Sequence, residues 1–480
     1  MRPSAASRIL VALSCLCACK TSSVERASSP PAGSAAESTA AKASSALDPD
    51  IAELVSGVSE ERLASTIQKL VGFRTRNACA DPSPPGTGIA AAREFLRQEL
   101  SSIGGMRVIV EPFAHSKCTP PVTSNNVIGY LPGRDPTRLV IISGHYDSLA
   151  FSGRAASREI ERYGPSGQTA PGANDSGSQT ALVLEAARQM ASKKYEATIA
   201  FAAFAGEEQG LMGSKALAKE YPRLFPNARL EGVLNCDIVG GDSSVNDEAA
   251  LHQFRLYSPG APRETGRAPD GTNDSTSPSR ALMRFVGYWG TRYVPSMVAV
   301  PRLREDRIRR GGDHSSFIEV GRPAVRFIET QENVAHQHSP EDVLAHITPA
   351  YVARMTKVVI AGAAALARSP VPPASFSAAG STERIRLSWG RVEKAHHYAV
   401  AARPVGETYY RKRIEVGADK TGLEATATDF GILTAEPLYV SVAAVDAAGH
   451  ESVFAYPEFR CDEKQCAMPP GALEVTATVQ

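Results

Sequence analysis

The chain has 480 residues, 43% of them hydrophobic, with 52 basic against 51 acidic side chains. That length can build sizeable cores in two or three domains, and a formal net charge of +1 gives no ground for a nucleic-acid or acidic-surface partner. After the first twenty residues, no apolar run reads as long enough to span a bilayer.

The first stretch, MRPSAASRILVALSCLCACK, carries Arg2 and Arg8 before an apolar run from Ile9. The run is too short for a transmembrane helix and right for a signal peptide. Its end, LCAC, resembles the bacterial lipobox, which implies cleavage before Cys19 and lipid on that cysteine; an ordinary secretory signal cut nearby is the alternative. Either route exports the mature chain, as a bacterial cell-envelope lipoprotein or a secreted protein. Any membrane contact would run through that lipid alone. Residues 20–48 are rich in Ser, Ala and Pro, the composition of a disordered tether.

Cys15, Cys17 and Cys19 belong to the signal, leaving Cys79, Cys118, Cys236, Cys461 and Cys466. Export permits disulfides, with Cys461–Cys466 the first expected pair and Cys79–Cys118 the next. Cys236, in GVLNCDIVG, reads as a small buried thiol in a strand.

From about residue 51, helical and extended patterns alternate. LASTIQKLVGF, AAAREFLRQELSSI, SQTALVLEAARQMAS and GLMGSKALAKEY have helical spacing, whereas RLVIISGHYDS, TIAFAAFAGEE and LEGVLNCDIVG are short apolar runs that stop at polar residues. The order implies an α/β fold, a mixed central sheet flanked by helices, with ligands at the carboxyl ends of its strands.

Those ends concentrate one kind of side chain. IISGHYDS ends in His145 and Asp147, GANDSGS supplies Asp175, FAAFAGEEQG ends in Glu207 and Glu208, LNCDIVG ends in Asp237, and HQHSPEDV offers His338 and Asp342. Any one of these is ordinarily just a solvated residue; five termini carrying only His, Asp and Glu change that balance. Carboxylate and imidazole without thiolate suit a catalytic zinc, and five or more ligands exceed one tetrahedral ion. Two ions need a bridging carboxylate. Asp175 is the best candidate, because its glycine neighbours allow close backbone approach and the helix-like run from Ser178 favours negative charge. A role as that helix's N-cap is compatible. Adjacent Glu207 and Glu208 repel unless cations or protons lie between them, so one would ligate a metal while the other holds a proton.

Together HYDS, GANDSGS, FAGEEQGLMGS, NCDIVG and HSPED resemble metallopeptidase family 28, the di-zinc exopeptidases, over roughly residues 51–368. The resemblance implies a zinc exopeptidase fold and two Zn2+ per chain. It puts His145 and Asp237 on one zinc, Glu208 and His338 on the other, Asp175 between them, Glu207 as general base and Asp147 orienting His145. Asp342 would support His338 likewise. His336 lies near but lacks the Ser-Pro-x-Asp tail of His338. In RGGDHSSF, Asp313 and His314 match a further family segment close to the site, with a helix N-cap, a hydrogen bond to a ligand or substrate contact as the roles open to them. The implied reaction is hydrolysis at the N-termini of peptides or proteins through a water held by both zincs. A carboxypeptidase or dipeptidase, a glutaminyl cyclase-like acyltransferase and a non-catalytic surface binding protein are the alternatives. Arginines in VPRLREDRIRR, residues 300–310, would either meet a substrate carboxylate or form a solvated basic loop. Phe151 to Pro171, Gly- and Ser-rich, reads as a loop at the rim of the site.

The chain thus divides into a signal with lipobox (1–19), a tether (20–48), a peptidase domain (49–368), a linker (369–375) and a final domain (376–480). In the last, ERIRLSWGRV and PLYVSVAAVD alternate apolar and polar residues, and the whole resembles a fibronectin type III sandwich. It would be either a stabilising appendage or an attachment to a surface, polymer or partner.

Overall fold

In the computed structural model the described residues are 47–80, 83–164, 168–258, 277–304, 306 and 311–469. The signal, Cys19 and the tether up to residue 46 lie outside them.

Eight strands form one mixed sheet: β1 (Arg107–His115), β2 (Val122–Leu131), β3 (Asp135–His145), β4 (Ala197–Phe204), β5 (Arg229–Cys236), β6 (Gln253–Tyr257), β7 (Val298–Arg302) and β8 (Ala324–Glu329). Their order is β1-β2-β4-β3-β5-β8-β6-β7. The central β4, β3, β5 and β8 run parallel, while β2 and β6 flank them antiparallel. Every residue of β4 is buried, as expected of a parallel strand covered on both faces.

Alternation along β3 divides its side chains between two cores. Val140 and Ile142 pack with Leu182 and Val358, from the helices Gln179–Met190 and Pro349–Arg368. Leu139 and Ile141 pack with Leu217 and Phe317, from Met212–Leu224 and His314–Glu319. Each fully buried aliphatic or aromatic side chain contributes about 1.5–3 kcal/mol. The helix Pro349–Arg368 corrects the expectation that no later segment could span a bilayer: its length and composition suffice, yet 83% of its most apolar window is buried inside the protein. Its apolar surface is spent on the sheet.

Beyond the helix end at Arg368, a three-stranded and a five-stranded sheet begin at Ser377 and share a core containing Leu387, Trp389, Tyr398 and Val440. Ile385 and Leu387 are buried between exposed Arg384, Arg386 and Ser388, the alternation expected. These sheets contact the helix Pro278–Tyr293, where the Arg413 guanidinium lies 4.3 Å from the Tyr288 ring and Arg284 Nε donates to Thr408 O at 2.9 Å. Cys79–Cys118 and Cys461–Cys466 are disulfides, and Cys236 is free and buried. Burial pushes the Cys236 thiol well above its ordinary pKa, so it is inert.

Candidate metal centre

Parallel strands bring their carboxyl ends to one edge of the sheet. His145 ends β3, Asp237 follows β5 directly, and Glu207 and Glu208 lie just past β4. Asp175 reaches the same edge on a kinked turn, Ala173–Ser178, where its backbone adopts φ −107 and ψ 85. Gly172 opens this turn at φ +55, and a Cβ there would lie 2.6 Å from Asp175 O and 2.6 Å from Ser148 Cβ. Only glycine fits. Ser178, not Asp175, occupies the N-cap of the following helix. His338 comes from the loop after β8, its ring 5.5 Å from that of Phe151 and edge-on to it.

Ligand atoms of His145, Asp175 and Asp237 lie within 4.8 Å of one another, and so do those of Asp175, Glu208 and His338. Asp175 belongs to both groups. Its Oδ1 is 3.2 Å from His145 Nε2 and its Oδ2 3.3 Å from His338 Nε2, while His338 Nε2 is 2.9 Å from Glu208 Oε2. Glu208 Oε1 is buried with no hydrogen-bond partner among the described residues. A buried imidazole and carboxylate set with a spare oxygen fits divalent zinc.

The charges point the same way. Burial would depress His145, but Asp147, Asp175 and Asp237 hold its pKa well above the ordinary value. His338 is raised likewise against burial by Glu208 and Asp175. Against its own burial, Asp175 is held well below the carboxylate range by the two histidines. Without metal, protonated imidazoles balance this carboxylate alongside the buried Arg326 guanidinium; two dications would replace those protons. Glu207 is pushed well up by burial and by the neighbouring Glu208 and Asp237 charges, with His145 opposing.

Asp147 does two things. Its Oδ1 is 3.4 Å from His145 Nδ1, and its two oxygens accept the N–H groups of Glu207 and Glu208 at 3.3 Å each. One buried carboxylate therefore fixes a ligand and the turn carrying the acidic pair. Asp342 corrects its expected role: it accepts the N–H groups of Asn174 at 2.7 Å and Asp175 at 2.9 Å, supporting Asp175 instead of His338. Asp313 and His314 are buried behind Asp237, where a Cβ on adjacent Gly312 would lie 3.1 Å from Asp237 Oδ2. Burial lifts Asp313 to about 7 and, with Arg326 adding, lowers His314 to about 3.

Two arginines escaped the sequence reading. Arg326, on β8, is buried with Nη2 2.9 Å from Asp237 Oδ2 and Nη1 3.1 Å from Asp306 Oδ2. Arg76 donates to the carbonyls of Tyr146 (2.8 Å), Pro171 (2.7 Å) and Gly172 (2.9 Å), tying the His145 and Asp175 loops together. The only signal was a charge inside an apolar strand, AVRFIE, for the first; the second had none.

A cavity of about 570 Å³ opens over the ligands, walled by Lys117, Arg162, Tyr163, Lys215 and Gln337. The segment Phe151–Pro171 does reach this rim, but it carries a helix, Ala155–Tyr163, instead of the expected loop. Of the arginines in 300–310, Arg302 and Arg304 do not line the cavity; the other three lie outside the described residues.

Residues 126–363 match the model of peptidase family M28. A probable zinc metalloprotease of Pyricularia oryzae is 34% identical over 405 residues, 77% of this chain and 78% of that protein. Another, from Pyrenophora teres f. teres, is 35% identical over 353 residues, 68% of this chain and 70% of that one. Among solved structures, LapB from Legionella pneumophila has a similar fold, with a TM-score of 0.50 at 17% identity over 66% of this chain and 74% of that chain. On these matches the chain belongs to peptidase family M28 and is a zinc metallopeptidase.

Proposed function

We propose that this metallopeptidase is an exported di-zinc aminopeptidase acting on the N-termini of peptides or proteins. The carrying observation is the membership of Asp175 in both ligand groups, between His145 and His338. Zinc, when bound, supplies Lewis acidity to a scissile carbonyl and acidity to water. In this reading His145 and Asp237 hold one ion, Glu208 and His338 the other. Glu207, whose pKa is raised by burial and by Glu208, takes a proton from water and returns it to the leaving amine. Asp147 keeps that base and the ligand His145 in one frame.

Asp175, Glu207, Glu208 and Asp237 all line the cavity floor, where the free terminal amine of a substrate would sit against the metals and their carboxylates. The cavity has the size of a small-ligand pocket, about 300–1,000 Å³. The two disulfides among the described residues agree with export, which the signal-like start supports, with Cys19 as a lipid anchor.

One observation favours a second reading, a dipeptidase or carboxypeptidase: Lys117, Arg162 and Lys215 stand in the cavity wall, where they could pair with a substrate carboxylate. Aminoacyl nitroanilides, their N-acetylated forms and free dipeptides, each assayed before and after chelation, separate the two. Chelator-sensitive cleavage of the free-amine nitroanilides alone supports the aminopeptidase; cleavage restricted to substrates with a free carboxylate supports the second reading.

A further inference from the structure

Outside the centre just described, Asp242, His336 and His346 also present ligand atoms within 4.8 Å of one another, the same spacing as the two ligand groups at Asp175. Asp242 is buried. Its Oδ1 is committed to the N–H of Ser244 at 2.9 Å and to the Ser244 hydroxyl, while Oδ2 faces His336 Nδ1 at 2.6 Å. The His336 and His346 rings lie 4.1 Å apart, tilted by 32°. An ordinary His–Asp pair accounts for the 2.6 Å contact but not for the second imidazole, which is stacked on the first and brings a third ligand atom to the same point. Two imidazoles and a carboxylate around one cation make an ordinary nitrogen-and-oxygen zinc ligand set.

We infer that Asp242, His336 and His346 form a third zinc site, with a structural task. Asp242 lies five residues after the ligand Asp237, and His336 and His346 bracket the ligand His338. The two loops already touch through Ser243 N to His346 O at 2.9 Å and Thr348 N to Gly240 O at 3.0 Å. An ion here clamps the Asp237 loop to the His338 loop, one ligand from each catalytic zinc. Both histidines are half-buried, so three protein donors leave a position for water, and the clamp exchanges with solvent more readily than the buried centre.

The test is zinc content by elemental analysis of the full-length protein, equilibrated with micromolar zinc and compared with His346→Asn and His336→Asn. The expected result is one zinc per chain fewer in each variant. Because the difference carries the result, it stands even if the catalytic centre holds a single ion. Equal zinc content in wild type and variants overturns the inference. If a variant fails to fold, calorimetric zinc titration of the chelator-stripped wild type decides: one binding class beyond those abolished in Asp175→Ala supports the site, and none overturns it.

Discussion

Asp342 grips Asp175 by the backbone. Its two carboxylate oxygens accept the adjacent N–H groups of Asn174 at 2.7 Å and Asp175 at 2.9 Å, leaving the Asp175 side chain free to face both histidines. Asp342→Ala should therefore loosen the turn without removing a ligand. Support of this kind is worth about 10–100-fold in metal affinity. Competition against a graded chelator series measures it, and unchanged zinc retention contradicts the role.

Glu207 is expected to separate metal binding from turnover. Glu207→Gln keeps the shape and both ligand groups but cannot accept a proton, so zinc content should hold while kcat falls by about 10²–10⁴-fold. Turnover within a few-fold of wild type means that the base lies elsewhere.

Arg326 balances Asp237 from behind, both of them buried. Arg326→Met leaves a buried carboxylate uncompensated, which costs roughly 3–5 kcal/mol in the metal-free protein. Zinc restores part of the missing positive charge, so the loss should shrink when the metal is returned. Thermal unfolding with and without zinc reads both values; equal losses in the two states speak against electrostatic compensation.

His450 joins the C-terminal sheets to the start of the peptidase region, with Nδ1 2.9 Å from Asp446 Oδ2 and Nε2 3.0 Å from Asp48 Oδ2. Burial would lower its pKa, but Asp446 and Asp48 raise it. A raised histidine contributes fully below its unfolded value, about 6.5, and loses that contribution as pH climbs through the higher folded value. Asp446, held below its ordinary value by His450 despite burial, ends the window on the acid side. His450→Gln should destabilise the protein near about pH 5.5 and hardly at all near about pH 9. A pH-independent difference in unfolding midpoint would count against the pairing.

Much of this was legible in the sequence because strand ends and ligands coincide. His145, Glu208 and Asp237 each close or follow an apolar run, and Asp175 is marked by glycines that a Cβ would obstruct. Support from a distance was not legible. Asp342 stands beside His338 in sequence yet serves Asp175, 167 residues away. Arg76 works through backbone carbonyls that any residue could provide. The helix Ala155–Tyr163 has no buried residue, so no apolar stripe announced it. Asp242, His336 and His346 meet only because the loops after β5 and β8 cross, as neighbouring strands β5 and β8 dictate.

The most direct test of the centre is anomalous diffraction at the zinc edge from crystals of the zinc-loaded protein. At the centre itself, apart from any peak at Asp242, two peaks about 3.5–4 Å apart, one beside His145 and Asp237 and the other beside Glu208 and His338, with Asp175 between them, are the result predicted. A single peak at Asp175, or none, contradicts the bridged pair.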